Sequence, residues 1–332
     1  MSLNISETND LSILANSQIG GPPEEQRPKV AVCLAAYNGI RWLGQQLDSI
    51  LNQRNVSVTV FISVDQSADG TEAFVESLAK SNDRIVQLPQ GVRFGGAAAN
   101  FFRLLGDVDF GGFDYVSLAD QDDIWFEDKL SRAIDILTGR EPGFDCYSSN
   151  VVAFWEDDTR KLIDKAQPQR KWDFVFEAAG PGCTYVLKVS VVAELKPLLL
   201  SFQEQISKIG LHDWFIYAFS RAKGYKWFID PVPSMLYRQH SSNQVGVNSG
   251  LRAYLWRSKK VFGGWAISQA RQIVQLVGLS GSSFYRWWSR PGRLGMLWLA
   301  ANAFRCRRGF KDGCIFGIVC LFLFVVGDRS DA

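Results

Sequence analysis

Four short apolar runs in the first 120 residues each stop at polar residues, and each is followed by a segment with helical spacing. The runs cover residues 30–36, 56–64, 85–88 and 114–119. Apolar runs of this length, bounded by turn residues, are typical of strands that are buried on both faces. Strands that alternate with helices favour a mostly parallel sheet covered by helices on both faces. The sequence therefore predicts an α/β fold.

Three of these runs end at side chains that can carry chemistry. Tyr37 and Asn38 follow the first run, residues 65–69 follow the second, and the acidic cluster of residues 120–123 follows the fourth. In open α/β sheets, ligands bind beyond the carboxyl ends of the strands. We therefore expect these three polar segments to meet in one crevice.

The acidic cluster has the sequence DQDD, with carboxylates at Asp120, Asp122 and Asp123. Three carboxylates this close repel one another unless a cation or strong hydrogen bonds neutralise them. On an extended segment Asp120 and Asp122 point the same way, and hard oxygen ligands at that spacing suit Mg²⁺ or Mn²⁺. The alternative is that Asp122 or Asp123 caps a helix that follows.

Five stretches occur in an order and at separations that resemble the glycosyltransferase family 2 enzymes of the GT-A fold. They are AAYNG (35–39), VDQSADGT (64–71), GGAAAN (95–100), LADQDDIW (118–125) and HDW (212–214). The resemblance extends over roughly residues 29–246. It implies a GT-A fold and an enzyme that uses a nucleotide-sugar donor.

The resemblance implies a role for each residue that follows the first two strands. Tyr37 would pack on the nucleobase, and Asp65 would accept a hydrogen bond from the base N3–H, a group that uridine and thymidine share. Ala36, Asn38 and Gln121 would complete the contacts to the nucleotide sugar.

It also implies a divalent cation, Mg²⁺ or Mn²⁺, and a general base. Asp120 would contact the ribose and the metal, Asp122 would hold the metal, and His240 would complete the metal shell. Asp213 would remove the proton from the acceptor hydroxyl in a single displacement that inverts the anomeric carbon. The chain has only two histidines. We expect the other one, His212, to orient Asp213 or to contact the diphosphate.

Two further segments allow more than one interpretation. The glycine-rich residues 91–96 either bring backbone N–H groups and Arg93 near phosphates or form a turn between strand and helix. Residues 180–184 resemble a family loop on the acceptor side, which makes Thr184 an acceptor-side candidate. Trp214 is a second such candidate, although it is also typical of a packing residue.

The C-terminal part has a different composition from the rest of the chain. The net charge of all 332 residues is only +2, yet residues 251–311 contain twelve basic residues and no Asp or Glu, and many tryptophans lie among them. Residues 313–327 then form an uncharged run of 15 residues, which is shorter than the roughly 20 needed to span a membrane. Basic and aromatic residues beside an apolar run favour a membrane surface with anionic lipid. The alternatives are a helical subdomain packed on the catalytic core and a dimer interface.

These features predict three parts: a disordered leader (1–28), a GT-A catalytic domain (29–246) and a basic, aromatic, membrane-associating helical region (247–332). The leader lacks the apolar segment of a signal peptide, and the six cysteines show no disulfide spacing. We therefore expect a peripheral protein on the cytoplasmic face of the inner membrane.

The forms DQDDIW and HDW most resemble bacterial rhamnosyltransferase-like members of the family. This implies dTDP-L-rhamnose as donor and a saccharide or lipid-linked acceptor in cell-surface polysaccharide or lipopolysaccharide synthesis. A UDP-hexose donor is the alternative.

A nucleotidyltransferase is disfavoured because residues 35–39 carry no basic phosphate loop. An inactive membrane-bound binding module is disfavoured by the retained carboxylates, and nucleic acid is not expected as a partner because the basic region is rich in Trp.

Overall fold

The computed structural model describes residues 23–91, 93–139, 143–240, 264–289 and 293–327. The first part alternates strands and helices in the order β1 (Lys29–Ala36), α1 (Ile40–Leu51), β2 (Ser57–Val64), α2 (Thr71–Ser81), β3 (Ile85–Gln87), α3 (Ala97–Asp107), β4 (Tyr115–Ala119), β5 (Ile124–Trp125) and α4 (Lys129–Thr138). The middle part contains β6 (Cys146–Ser149), β7 (Val151–Phe154), β8 (Arg160–Ile163), β9 (Val186–Lys188), α5 (Val189–Ser201), α6 (Gln203–Ile206), α7 (His212–Ala222), β10 (Trp227–Asp230) and β11 (Met235–Arg238). The C-terminal part consists of α8 (Trp265–Leu276), α9 (Ser283–Trp288), α10 (Leu294–Ala301), α11 (Ala303–Cys306) and α12 (Phe310–Val326). Short 3₁₀ turns cover Glu24–Gln26, Asp173–Val175 and Gly182–Thr184.

The main sheet has seven strands in the order β10-β6-β9-β4-β1-β2-β3. Strand β1 pairs in parallel with both β2 and β4, and the pairs β2–β3 and β6–β10 are also parallel. Strand β9 runs antiparallel between β4 and β6. The predicted α/β fold with a mostly parallel sheet is therefore confirmed.

The hydrophobic core lies on both faces of this sheet. Along β1, Ala31 and Cys33 belong to one buried cluster, whereas Val32 and Leu34 belong to the other. All four are fully buried. Because successive side chains of a strand point to opposite faces, a central strand covered on both sides is apolar at every position.

A second sheet, β5-β11-β7-β8, was not predicted. The chain changes sheets at residue 150, since β6 belongs to the main sheet and β7 to the second one. A turn that contains Pro231 and Pro233 likewise sends β10 and β11 into different sheets. The charged segment 155–171 contributes the mostly exposed strand β8.

Polar side chains hold the chain where it changes sheets. The Asn150 side chain donates to Asp164 and to the Pro231 carbonyl, each at 3.0 Å. The Asp230 carboxylate, 1% exposed, accepts from the Arg132 guanidinium at 2.7 Å and from the Tyr147 hydroxyl at 3.0 Å. These bonds satisfy buried groups that would otherwise destabilise the junction.

The expected disordered leader and the domain boundary can be compared with the structure only in part. Residues 1–22 and the boundary at 246–247 lie outside the described residues. The last residues of the expected leader are ordered: Glu24–Gln26 form a 3₁₀ turn, and the Pro28 carbonyl accepts from the Ser57 N–H at 2.9 Å.

The C-terminal helices pack on the α/β part of the chain through one of the two core clusters. Trp172 stacks on Phe284 of α9 with ring centroids 4.1 Å apart, and Trp288 is completely buried. This is the arrangement of a helical subdomain, one of the alternatives above. Other apolar side chains of α12 point outward: Ile318 and Val325 are 62% and 66% exposed. Of the helices described, none has the length and apolarity needed to cross a bilayer.

The buried Asp230 yields a prediction about stability. Asp230→Ala leaves Arg132 and Tyr147 without their shared partner, so we expect the free energy of unfolding to fall by about 3–5 kcal/mol. Chemical denaturation measures this change. The matched control is Asp135→Ala, an exposed position on α4, with an expected change within about 0.5 kcal/mol. Equal losses in the two variants would contradict the assignment of Asp230 as a structural anchor.

Candidate active site

A cavity of about 1000 Å³ opens at the carboxyl ends of β1, β2 and β4. Ten of the twelve residues predicted for the site line it: Ala36, Tyr37, Asn38, Asp65, Asp120, Gln121, Asp122, His212, Asp213 and His240. Thr184 and Trp214 do not line it. The buried Thr184 hydroxyl donates to the Pro181 carbonyl at 2.7 Å, and the Trp214 indole donates to the Phe174 carbonyl at 3.2 Å. Both side chains pack behind the cavity wall, which does not support their expected contact with an acceptor.

The loop after β1 is held by two amide side chains. Gln121 accepts from the Tyr37 N–H at 2.7 Å and donates to the Tyr37 carbonyl at 2.9 Å. Asn38, at a φ of 47°, accepts from the Ala68 N–H at 2.8 Å and so joins this loop to the one after β2. The Tyr37 side chain is 45% exposed at the cavity. Gln121 and Asn38 thus position the loop that presents the Tyr37 ring.

Asp65 fastens the glycine-rich segment. Its buried carboxylate accepts from the N–H groups of Gln66, Phe94 and Gly95 at 2.8–3.0 Å. A carboxylate has about four acceptor positions, so one remains for a ligand. The backbone N–H groups of Phe94 and Gly95 therefore bind Asp65 and are not available to phosphates. The exposed Arg93 does line the cavity. Residue 92 lies outside the described residues.

The three carboxylates of the acidic cluster lie in different environments. Asp122 contacts His240, with Oδ2 and Nε2 2.6 Å apart, and the His240 ring stacks on Trp42 at 4.2 Å. Asp123 is fully buried and accepts from the Arg238 N–H at 3.1 Å. The capping hypothesis for Asp122 and Asp123 is wrong, because α4 begins at Lys129 and follows Asp128.

Asp120 is half-buried, and the Asp123 carboxyl and Cys183 thiol beside it are fully buried. Burial and the charges of Asp122 and Asp213 raise the pKa of Asp120 to about 7. Burial raises the pKa of Asp123 well above its usual value, and that of the Cys183 thiol as well. Ligand atoms of Asp120, Asp123 and Cys183 lie within 4.8 Å of one another. Each shift favours the neutral form, as desolvation requires.

Lys129 is a charged residue that sequence reasoning missed. It is completely buried, its Nζ lies 3.4 Å from the centre of the Trp125 ring, and burial lowers its pKa to about 7. On an amphipathic helix a lysine is usually a surface residue, so the pattern carried no signal for this position.

The first turn of α7 brings Asp213 and His212 to the cavity. Burial raises the pKa of Asp213 to about 6, whereas hydrogen bonds from its own helix and the charge of Lys165 act in the opposite direction. His212 stacks on Phe101 at 4.0 Å, and burial lowers its pKa to about 3, which keeps the ring neutral. Within the described residues its Nε2 has no hydrogen-bond partner. A Cβ at Gly182 would lie 2.4 Å from that nitrogen, so only glycine allows this approach.

His212 was expected to orient Asp213 or to contact a diphosphate. Its Nε2 is buried against Gly182, whereas the side chain as a whole lines the cavity, so both roles stay predictions. The cavity is also lined by Lys165, Glu177 and Arg307, which sequence reasoning did not single out. Arg307 had been counted only within the basic region.

Comparison with known proteins agrees with this geometry. Residues 28–164 match the family described as "Glycosyltransferase like family 2". The chain is 42% identical over 280 residues to the dTDP-rhamnosyl transferase RfbG of Shigella flexneri, covering 84% of this chain and 96% of RfbG. Among solved structures, it resembles the mannosyltransferase PcManGT of Pyrobaculum calidifontis, with a TM-score of 0.51 at 15% identity and coverage of 94% and 90%. It also resembles residues 1–349 of S. aureus TarS in complex with UDP, with a TM-score of 0.50 at 12% identity and coverage of 92% of each chain. The chain belongs to glycosyltransferase family 2 and is a glycosyltransferase of the GT-A fold.

Proposed function

We propose that this glycosyltransferase moves L-rhamnose from dTDP-L-rhamnose onto a saccharide or lipid-linked acceptor, with inversion and with the help of a divalent cation. The observation that carries the proposal is the convergence of Asp65, Asp122 and Asp213 on one cavity. The choice of donor rests on the 42% identity to a dTDP-rhamnosyl transferase. Cell-surface polysaccharide or lipopolysaccharide synthesis is the proposed setting.

The donor base would bind at the loops after β1 and β2. The exposed Tyr37 ring offers a flat apolar surface for stacking, and Asp65 retains one acceptor position for the base N3–H. Thymine and uracil share that N–H, so a UDP-hexose is the second candidate donor. Arg93, exposed on the same cavity wall, is suited to the diphosphate.

Asp122, Asp120 and His240 form the set that fits a divalent cation. Asp122 and His240 already approach within 2.6 Å, and both line the cavity with Asp120. Carboxylate oxygens are the ligands that suit Mg²⁺ or Mn²⁺, whereas the Asp120–Asp123–Cys183 group includes a thiol whose pKa is raised by burial. When bound, the cation would offset the charge that develops on the departing diphosphate.

Asp213 would act as the general base. The acceptor hydroxyl oxygen forms the new bond to the anomeric carbon, its proton passes to Asp213, and the bond to the diphosphate breaks, so that dTDP leaves. The neutral His212 beside it cannot add a competing positive charge at neutral pH. The His212 side chain lines the cavity that would hold the donor.

A peripheral location on the cytoplasmic face of the inner membrane is part of the proposal. Ile315, Ile318 and Val325 point outward on one side of α12 and are more than half exposed. Two exposed basic residues lie close to the start of this helix, Arg305 on α11 and Lys311 in the first turn of α12. An apolar helix face beside basic residues is suited to a surface of anionic lipid.

A donor panel tests the proposed function. We expect release of nucleoside diphosphate from dTDP-L-rhamnose, in the presence of Mn²⁺ or Mg²⁺, at least tenfold faster than from UDP-hexoses, and loss of release in chelator. Chromatography of the nucleotides measures both. Preference for a UDP-hexose would select the second donor, activity unaffected by chelator would refute the cation, and pyrophosphate release would indicate nucleotidyl transfer.

The assignment of Asp213 predicts a pH profile. A general base must be ionised, so kcat/KM should fall about tenfold per pH unit below pH 6 and level off above it. Asp213→Asn should lower kcat by about 10²–10⁴-fold and leave dTDP affinity near the wild-type value. Calorimetry of dTDP binding is the control. Near-normal turnover in Asp213→Asn would rule out the role.

The membrane proposal can be tested with vesicles. Ile318→Asp places a charge on the outward face of α12 and should reduce co-flotation with phosphatidylglycerol vesicles at least fivefold. The matched control is Leu162→Asp, which changes a residue that is 53% exposed on β8 of the catalytic domain. Equal flotation of wild type and Ile318→Asp would contradict the proposal.

A further inference from the structure

The C-terminal region reaches the catalytic cavity through Arg307. This residue follows α11 in an extended conformation, with φ −135° and ψ 139°. In an extended segment neighbouring side chains point to opposite sides. Arg308 is accordingly buried in the protein, with 3% exposed, whereas Arg307 lines the cavity that contains Asp213.

Arg308 anchors this segment to the catalytic domain. Its guanidinium lies 3.2 Å from Asp173 and 3.6 Å from Glu177, and it donates to the Ala178 carbonyl at 2.6 Å. Its backbone N–H donates to Glu177 at 2.6 Å. Because the buried Arg308 has this many partners, the backbone position of the neighbouring Arg307 is fixed.

Around Arg307, positively charged side chains outnumber the negatively charged ones by one. Asp173 also pairs with Arg221 at 3.6 Å, so three guanidinium groups face the two carboxylates of Asp173 and Glu177. Arg307 has the longest of the contacts, 4.0 Å from its Nε to Glu177. Its Nη1 donates to the Phe176 carbonyl at 2.7 Å, and its Nε has no hydrogen-bond partner in the part of the chain that the structure describes.

Lys165 adds a second positive charge to the same wall. It lines the cavity beside Gly180, and its charge opposes the rise in the pKa of Asp213 that burial causes. Over the described ranges of the chain, no carboxylate forms an ion pair with Lys165. The wall therefore presents two cations, Lys165 and Arg307, near the proposed general base.

The sheet order places this wall away from the proposed base-binding loops. Along the main sheet, β4 separates β1 and β2, which precede Tyr37 and Asp65, from β9 and β6. Lys165 is joined to the end of β6 through the Asn150 side chain, which accepts from the Lys165 N–H at 2.7 Å. Lys165 is thus on the β6 side of Asp120, away from the proposed base-binding loops. Arg307 contacts Phe176 and Glu177, which precede the Gly180 beside Lys165 by four and three residues.

We propose that Arg307 and Lys165 form an anion subsite that binds a phosphate group of the acceptor. The inference rests on the proposed function and adds the chemical class of its acceptor. A guanidinium offers a planar set of donors, and an ammonium offers a point charge, which together suit phosphate oxygens. A neutral saccharide would leave the partly buried Arg307 charge uncompensated.

Phosphate binding tests the subsite directly. Inorganic phosphate is titrated by calorimetry into the full-length protein saturated with dTDP and Mg²⁺. We expect saturable binding that weakens at least tenfold in Arg307→Ala and in Lys165→Ala, and that Arg307→Lys partly restores. Arg305→Ala is the matched control, because Arg305 is an exposed cation two residues away. Absence of binding in the wild type, equal affinity in the variants, or an equal loss in Arg305→Ala would overturn the subsite.

Matched acceptors give a second readout. A panel of alkyl glycosides is compared with the same sugars carried on alkyl diphosphates, with dTDP release as the signal. The wild type should show a KM at least tenfold lower for the diphosphate series, and Arg307→Ala should lose that difference. Equal KM values in the wild type would overturn the inference. Failure of the proposed function would differ, since the wild type would then release no dTDP from dTDP-L-rhamnose with any acceptor.

Discussion

The parallel pairing of β4, β1 and β2 is the constraint on which the active site depends. Strand β1 aligns Ala36 with Val64 of β2, and β4 pairs with β1 on the other side. Tyr37, Asp65 and Asp120, the residues that follow these strands, therefore reach one edge of the sheet. The Asp65 N–H donates to the Ala36 carbonyl at 2.8 Å, which extends the ladder to the carboxylate itself. The carboxyl-terminal ends of β1, β2 and β4 are buried, which leaves the loops little freedom to separate.

Burial determines the charge state of the ionisable side chains at the acidic cluster. Asp120, Asp123, Cys183 and Lys129 all have pKa values shifted toward the neutral form, because desolvation penalises their charged states. Asp122 is instead partly exposed and contacts His240. A cation at the cavity favours ionised carboxylates. The cluster thus combines two half-buried acids, Asp120 and Asp122, with the fully buried Asp123.

The strand-end residues were predictable, whereas their surroundings were not. Apolar runs and turn residues locate β1 and β2, so Tyr37 and Asp65 follow from local patterns. The second sheet escaped prediction because β5, with two residues, is too short to show a strand period, and β8 is mostly exposed. The contiguous run 145–154 gives no sign of the change of sheet at Asn150, which depends on bonds to residues far along the chain.

Charged residues with buried roles escaped prediction for a related reason. Lys129 and Arg308 lie in segments whose patterns suggest surface positions, and only tertiary contacts make them buried. The resemblance to family 2 supplied Asp213 and His240, which the spacing of residues alone could not have joined to Asp122. Thr184 and Trp214 were suggested by their neighbours in sequence, but their side chains point behind the wall.

A crystal structure with dTDP and Mn²⁺ tests the central claim most directly. The account predicts the thymine ring against Tyr37 with its N3–H at Asp65, and an anomalous manganese peak at Asp122 and His240. A manganese peak at Asp123 and Cys183, or a nucleotide bound outside the cavity at the ends of β1, β2 and β4, would contradict it.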